Sequence, residues 1–311
     1  MASGPTPSPN GKRAAVARRA LEAVRSRAPQ GVEVVVVEDN VDLESIDFLV
    51  PPSSGDERKR VVRALPGLDR LAVVQVMSAG TDWIETHLPP QATLCSARGA
   101  RDGPVAEWAL GALLGASSGL LECARERTWR SRHLSDLGGW TVLVVGMGSI
   151  GRLLESHLQV LGTKVIGVGS HAHDDLHGIQ ELPELLPRAD AVVLLTPLND
   201  STRGLVSAAE LAAMPDGAVL VNAARGPIVD TDALLAEVGT GRLRAVLDVT
   251  YPEPLPEDHP LWDAPGVLSI TPHVAGDSPA GHARAAALAG EQLARWCAGE
   301  ELQNVVRRGS R

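Results

Sequence analysis

The segment Gly146-Met147-Gly148-Ser149-Ile150-Gly151 constrains this chain more than any other stretch. It follows an apolar run at 141–145, opens a helical pattern at 149–161, and precedes a second apolar run at 164–168. Glycines at this spacing between a strand and a helix form the turn of a parallel βαβ unit that cradles a dinucleotide. Gly146 permits the tight turn, Gly148 admits a diphosphate, and Gly151 lets helix and sheet approach. The helix N-terminus then faces the diphosphate charge. Ser149 and Ile150, between these glycines, are counted with them as cofactor contacts.

A chain of 311 residues is long for one small core and suits two domains. At 44% hydrophobic and 22% charged it is an ordinary globular composition. A net charge of −9 argues against a nucleic-acid surface, although arginine greatly outnumbers lysine. No uninterrupted apolar stretch is long enough to span a bilayer; 110–121 comes nearest and holds Gly and Ser. Cys95, Cys123 and Cys297 are odd in number and lack zinc or disulfide spacing, which fits a reducing cytoplasm. Residues 1–10, rich in Pro, Ser and Gly, lack an apolar core for a signal peptide and are expected to be disordered.

Along the chain, 14–27 reads as a helix with an apolar Ala/Val/Leu face. Residues 32–37, 48–50, 71–76 and 93–95 read as buried parallel strands of a small α/β layer. A long helical pattern covers 105–125. Strands at 141–145, 164–168, 191–195, 218–222, 245–248 and 268–271 give a doubly wound α/β sheet, whose ligands are expected at the strand C-terminal ends. Residues 279–298 read as a final helix.

Three strand ends carry chemistry. Asn222-Ala223-Ala224-Arg225-Gly226 offers an arginine, Asp248-Val-Thr-Tyr-Pro-Glu253-Pro254 a carboxylate, and Thr271-Pro272-His273 a histidine. An arginine grips a carboxylate with two parallel hydrogen bonds. A histidine can donate a proton near neutral pH, and a carboxylate beside it orients the ring and favours its charged form. Hydride transfer to a keto carbon creates an alkoxide, which needs charge stabilisation and a proton. Arg225, Glu253 and His273 supply these as a catalytic set. Other histidines, including His87, His133, His157 and His282, lack such context and read as structural or surface residues.

These motifs, with Pro254-Leu255-Pro256 and His259-Pro260-Leu261-Trp262, resemble the D-isomer-specific 2-hydroxyacid dehydrogenases, strongly from about 96 to 276. The resemblance implies two α/β domains: a Rossmann doubly wound parallel sheet at 99–276 and a smaller flavodoxin-like substrate domain built from 1–98 and 277–311. It implies that Arg225 binds the substrate carboxylate and carbonyl, that His273 is the acid/base, and that Glu253 pairs with it. It further implies that Thr196, Pro197 and Ala223 line the cofactor and that Asp248 holds the nicotinamide carboxamide, a turn aspartate being the alternative. The loop Met77-Ser78-Ala79-Gly80 resembles the one whose backbone amides bind the substrate carboxylate, with Met77 lining the side-chain pocket. Arg98 reads equally as a second substrate contact or a hinge salt bridge. The first strand that the family places before the first helix is not evident, so the sheet edge reads as shortened. A homodimer through 111–137 is implied, with Trp129 either an anchor or packed within its own subunit.

At the end of the strand 164–168 an acidic residue is expected to bind the ribose hydroxyls of NAD(H). Here Gly169 stands at that position, followed by Ser170-His171-Ala172-His173-Asp174-Asp175. Losing the carboxylate removes repulsion against a 2′-phosphate, and Ser170 can donate a hydrogen bond, so NADP(H) is favoured over NAD(H). The loop also lacks an arginine, its Asp174 and Asp175 would repel a phosphate if they point inward, and its alternative reading is a polar surface loop. Arg152 reads as a phosphate contact or a solvated arginine. No metal is expected.

The resulting expectation is a cytoplasmic NAD(P)-dependent reductase of a small 2-keto acid such as glyoxylate or hydroxypyruvate, without nucleic-acid or membrane partners. Glu253 disfavours a formate dehydrogenase, and no regulatory domain like that of many 3-phosphoglycerate dehydrogenases follows the last helix, although a shorter form of that enzyme stays open. A dehydrogenase of a phosphonate or phosphite anion is a second reading. A dinucleotide-sensing binding protein is a third.

Overall fold

A computed structural model of the protein describes residues 11–310, apart from 40, 127, 128, 130, 132 and 133. The N-terminal ten residues, His133 and part of the segment 126–137 therefore lie outside the described residues. The chain divides into two compact units, one ending at Arg101 and resumed from Ser278, the other spanning Asp102–Asp277.

The first unit opens with strands β1 (Arg13–Val16), β2 (Glu33–Val36), β3 (Phe48–Val50), β4 (Val73–Gln75) and β5 (Thr93–Cys95). The second holds β6 (Thr141–Val145), β7 (Lys164–Gly169), β8 (His177–Gly178), β9 (Ala191–Leu194), β10 (Val219–Asn222), β11 (Arg244–Leu247) and β12 (Val267–Ile270). A last strand, β13 (Val305–Arg307), returns to the first unit.

The second unit is a seven-stranded sheet in the order β12-β11-β10-β9-β6-β7-β8, parallel throughout. This is the doubly wound Rossmann arrangement, and its order reverses between β6 and β9. Both faces are covered. Leu143, Val145, Val192, Leu194 and Leu220 belong to one core, whereas Val142, Val144, Val193 and Val221 belong to the other with Ala106, Ala109 and Leu113 of the helix Asp102–Ser117. Burial on two faces explains the unbroken apolar runs of these strands. Each fully buried Leu or Val contributes about 1.5–3 kcal/mol. The expected long helix 105–125 is two helices, Asp102–Ser117 and Leu120–Arg125. Gly119 between them adopts a left-handed φ of 63°, which ends the first helix.

The first unit has the order β13-β5-β4-β3-β1-β2, with only β13 antiparallel. Its five parallel strands follow the flavodoxin-like pattern. Here the structure corrects the reading of 14–27 as a helix. Residues 13–16 are the strand β1, a 3₁₀ turn follows at Arg18–Ala20, and only Leu21–Arg25 is α-helical. The first strand is thus neither missing nor at a shortened edge; it lies between β2 and β3. Ala14, Ala15 and Val16 are fully buried, so two hydrogen-bonded neighbours and two covered faces override the helix preference of alanine.

The helix Pro279–Ala298 is capped by Ser278, whose hydroxyl accepts from the Gly281 amide at 3.0 Å. A Cβ at Gly290 would stand 2.6 Å from the Ala23 carbonyl oxygen and 2.9 Å from Arg27 Cδ. Overpacking of about 1–3 kcal/mol should outweigh the ~1 kcal/mol that alanine gains in a helix. Gly290→Ala is therefore expected to lower the urea midpoint of unfolding, and an unchanged or higher midpoint would show that the two helices can separate freely.

Candidate active site

The glycine turn follows β6 at the point where the strand order reverses. Gly146 has φ 109°, and its amide donates to the Val168 carbonyl at 2.8 Å. A Cβ on Gly146 would lie 2.6 Å from Leu195 C and 2.7 Å from Thr196 N, so only glycine allows the β6 and β9 ends to meet. A Cβ on Gly151 would overlap the Gly146 carbonyl oxygen. Gly148, in contrast, faces open space, with nothing within 4 Å of its would-be Cβ. Gly148 and Ser149 are exposed and Ile150 is half-buried at the start of the helix Ser149–Val160. Thr196, past β9, is buried, and its Oγ1 has no hydrogen-bond partner. A tight turn, an open approach at its middle and an unpartnered hydroxyl fit a dinucleotide with its diphosphate over Gly148. Pro197 next to Thr196 is exposed.

Arg225 follows β10 on a turn tied by Asn222. The buried Asn222 accepts from the Ala224 amide at 3.0 Å and donates to the Arg225 carbonyl at 3.1 Å. The guanidinium donates to the Ala224 carbonyl at 2.7 Å. Gly226 opens the 3₁₀ turn Gly226–Ile228 and allows close approach, since a Cβ there would overlap the Thr250 carbonyl oxygen. Ala223, on the same turn, is half-buried, and its amide donates to Leu194 at 3.3 Å.

Asp248 follows β11 and is 2% exposed. Its Oδ1 accepts from the Thr271 hydroxyl at 2.6 Å and the Val274 amide at 2.8 Å, and its Oδ2 accepts from the Ala275 amide at 2.9 Å. The His273 amide donates to the Asp248 carbonyl at 2.8 Å. His273 itself has a left-handed φ of 56°, costly for a residue with a Cβ unless its surroundings fix it. The Asp248 contacts on either side do so. His273 Nδ1 then lies 2.7 Å from Glu253 Oε1, with both side chains nearly half exposed. The Glu253 loop is itself held, because Thr231 Oγ1 donates to the Tyr251 carbonyl at 2.7 Å and Thr250 Oγ1 to the Pro252 carbonyl at 2.9 Å.

In the first unit, the loop after β4 is anchored by the Ala97 amide on the Ser78 carbonyl at 2.8 Å and by Ser78 Oγ on the Gly80 carbonyl at 2.7 Å. Ala79 is exposed, whereas Met77, at 3% exposed, belongs to a core cluster with Val16, Val50 and Leu293. Behind the loop, the buried Gln292 donates to the Gln75 side-chain oxygen at 3.1 Å, and Gln75 donates to the Val76 carbonyl at 2.8 Å. Arg98 is exposed.

Sequence reasoning gave no role to Asn222, Thr271, Gln75 or Gln292. A polar side chain closing a buried apolar run was the available signal for Asn222 and Gln75. Arg152 and Asp175, 23 positions apart, meet in a two-pronged ion pair at 2.8 and 3.0 Å. The guanidinium holds the Asp175 carboxyl below its ordinary range.

The family model for D-isomer specific 2-hydroxyacid dehydrogenases, NAD binding domain, matches residues 112–275, more than half the chain. An uncharacterised protein of Corynebacterium melassecola is 31% identical over 284 residues, 85% of this chain and 90% of that one. The D-3-phosphoglycerate dehydrogenase of Methanocaldococcus jannaschii is 28% identical over 278 residues, but this chain spans only 52% of its length. The crystal structure of an NADPH-dependent glyoxylate/hydroxypyruvate reductase from Sinorhizobium meliloti, in complex with NADP and sulfate, superposes with a TM-score of 0.80. It is 28% identical, with 96% of this chain and 98% of that one covered. The chain belongs to the D-isomer specific 2-hydroxyacid dehydrogenase family, a family of NAD(P)-dependent oxidoreductases.

Asp248→Ala would strip three donors of their acceptor inside the protein. A loss of about 3 kcal/mol is expected, read as a lower denaturant midpoint. A stability within experimental error of the parent would show that the His273 loop does not depend on this carboxylate.

Proposed function

We propose that this protein reduces a small 2-keto acid of the glyoxylate or hydroxypyruvate kind to the D-2-hydroxy acid, with NADPH preferred over NADH. The observation that carries the reading is the His273–Glu253 pair, with Nδ1 and Oε1 2.7 Å apart, in the same unit as Arg225 and the glycine turn. A bound nicotinamide dinucleotide supplies the hydride. Gly146, Gly148 and Gly151 with the helix N-terminus hold its diphosphate, and Thr196 Oγ1 offers it a hydrogen bond. Asp248 combines its grip on the His273 loop with a contact to the carboxamide.

Arg225 grips the substrate carboxylate and polarises the carbonyl, which fixes the keto carbon in near-attack geometry. Glu253 accepts from Nδ1–H of His273, which fixes the ring and leaves Nε2 to deliver the proton to the alkoxide.

The NADPH preference is supported by Gly169, which puts no carboxylate against a 2′-phosphate, and by exposed Ser170 beside it. The S. meliloti reductase, whose complex contains NADP, is a relative of like fold. The cytoplasmic location belongs to the same reading and is supported by three free cysteines. A homodimer through the second unit is supported by exposed Leu114, Leu120, Trp129 and Leu134, which are costly to leave in water.

Purified protein is expected to oxidise NADPH with glyoxylate or hydroxypyruvate in a panel of 2-keto acids. His273→Gln should lower kcat by about 10²–10⁴-fold while NADPH binding, read by fluorescence, persists. Parental turnover in that variant would sink the acid/base assignment. Turnover confined to phosphite or phosphonate would sink the keto-acid reading, and tight dinucleotide binding without any turnover would favour a sensor. Leu120→Asp combined with Leu134→Asp should halve the mass seen by sedimentation, and an unchanged mass would sink the dimer surface.

A further inference from the structure

We propose that Arg152 is the cation that recognises the 2′-phosphate of NADPH, and that Asp175 holds the guanidinium at the strand end until the phosphate displaces it. The inference rests on the NADPH reading above and supplies the positive charge that the segment 169–175 lacks.

Strand β7 ends at Gly169, where a ribose-binding carboxylate would stand. The loop beyond it folds back on itself. His173 and Leu176 exchange backbone hydrogen bonds of 3.1 and 2.8 Å, and the Leu176 side chain lies 2.7 Å from the Cβ position of Gly167 and 3.6 Å from that of Gly169. Asp175 is thereby pinned beside the end of β7. Met147 packs against the same strand from the glycine turn, 2.9 Å from the Gly167 Cβ position and 3.4 Å from that of Gly151. Arg152 is the residue after Gly151, and its two terminal nitrogens meet both Asp175 oxygens at 2.8 and 3.0 Å. Contacts across β7 thus bring an arginine from the helix Ser149–Val160 to the place where the sequence has none.

The pair is built for exchange. Its side chains are 42% and 63% exposed, and exposed ion pairs hold weakly. A phosphate brings more charge and three acceptor oxygens to the same guanidinium fork. Of the other acids nearby, Asp174 meets His173 at 2.7 Å, whereas Glu155 shares one terminal nitrogen of Arg152 with Asp175, at 3.1 Å, and stays on the guanidinium when the phosphate takes the place of Asp175. Ser170, whose hydroxyl lies 3.2 Å from His171 Nδ1, is a further donor at the strand end. The unphosphorylated ribose of NADH offers no anion to compete with Asp175, so Arg152 discriminates between the two cofactors.

The test is calorimetric binding of 2′,5′-ADP and 5′-AMP to the full chain, which isolates the 2′-phosphate from turnover. The parent should bind 2′,5′-ADP about tenfold tighter or more. Arg152→Ala should erase most of that preference and leave 5′-AMP affinity within about twofold, because only the phosphate contact is removed. Asp175→Asn should tighten 2′,5′-ADP and leave 5′-AMP unchanged, a gain that a misfolded variant could not give. If the parent prefers 2′,5′-ADP and Arg152→Ala keeps that preference, the arginine assignment is overturned and the NADPH reading stands. An equal loss of both ligands in Arg152→Ala overturns it too, because the side chain then serves the shared part of the ligand or the fold. If the parent binds the two ligands equally, the NADPH reading itself fails and this inference falls with it.

Discussion

The geometry of the candidate site depends on one buried carboxylate. Asp248 sits just past β11, out of water, and accepts from Thr271, Val274 and Ala275 of the neighbouring strand end, three of the roughly four bonds a carboxylate can take. Without those bonds, a buried charge would be left uncompensated and the backbone at His273 would relax from its left-handed conformation. With them, the imidazole is presented toward Glu253 at hydrogen-bond distance. A residue that the sequence offers as a cofactor contact or turn aspartate is thus also the support on which the His273–Glu253 pair stands.

Close approach between strand ends is the second constraint. Gly146 lets the turn after β6 touch the residues following β9, and Gly226 lets the Arg225 turn touch Thr250. Both belong to the all-parallel sheet, where successive loops must crowd above neighbouring strands. Glycine is required at Gly146 by backbone conformation as well as by space. At Gly226 the requirement is space alone, because its φ is not left-handed. The conformation of Arg225 comes from Asn222, which closes the turn from both sides with its amide.

Much of the second unit was legible in the chain itself. Its apolar runs match β6, β7, β9, β10, β11 and β12 to within a residue or so at each end, because burial on both faces leaves an unambiguous mark. The first unit was harder to read. Residues 13–16 carry alanine where a strand is needed, and 14–27 has a helical apolar pattern. Only the presence of β2 and β3 on either side turns those residues into a strand. Short β8 and β13 leave no mark in the sequence, since two or three residues give no periodicity and β13 finds its partner, β5, far back in the chain.

By itself, the sequence determined the class of chemistry the chain can support. A glycine turn between strand and helix, followed by an arginine, a glutamate and a histidine at successive strand ends, is a local pattern, and local patterns survive without knowledge of the fold. The tertiary structure alone decided how those residues are held. The Asp248 grip joins β11 to the loop after β12, the Gln292–Gln75 bond spans 217 positions, and Arg152 reaches Asp175 across β7. These are hydrogen bonds and ion pairs between segments that only the parallel sheets bring within 3 Å or so of one another. No spacing along the chain encodes them.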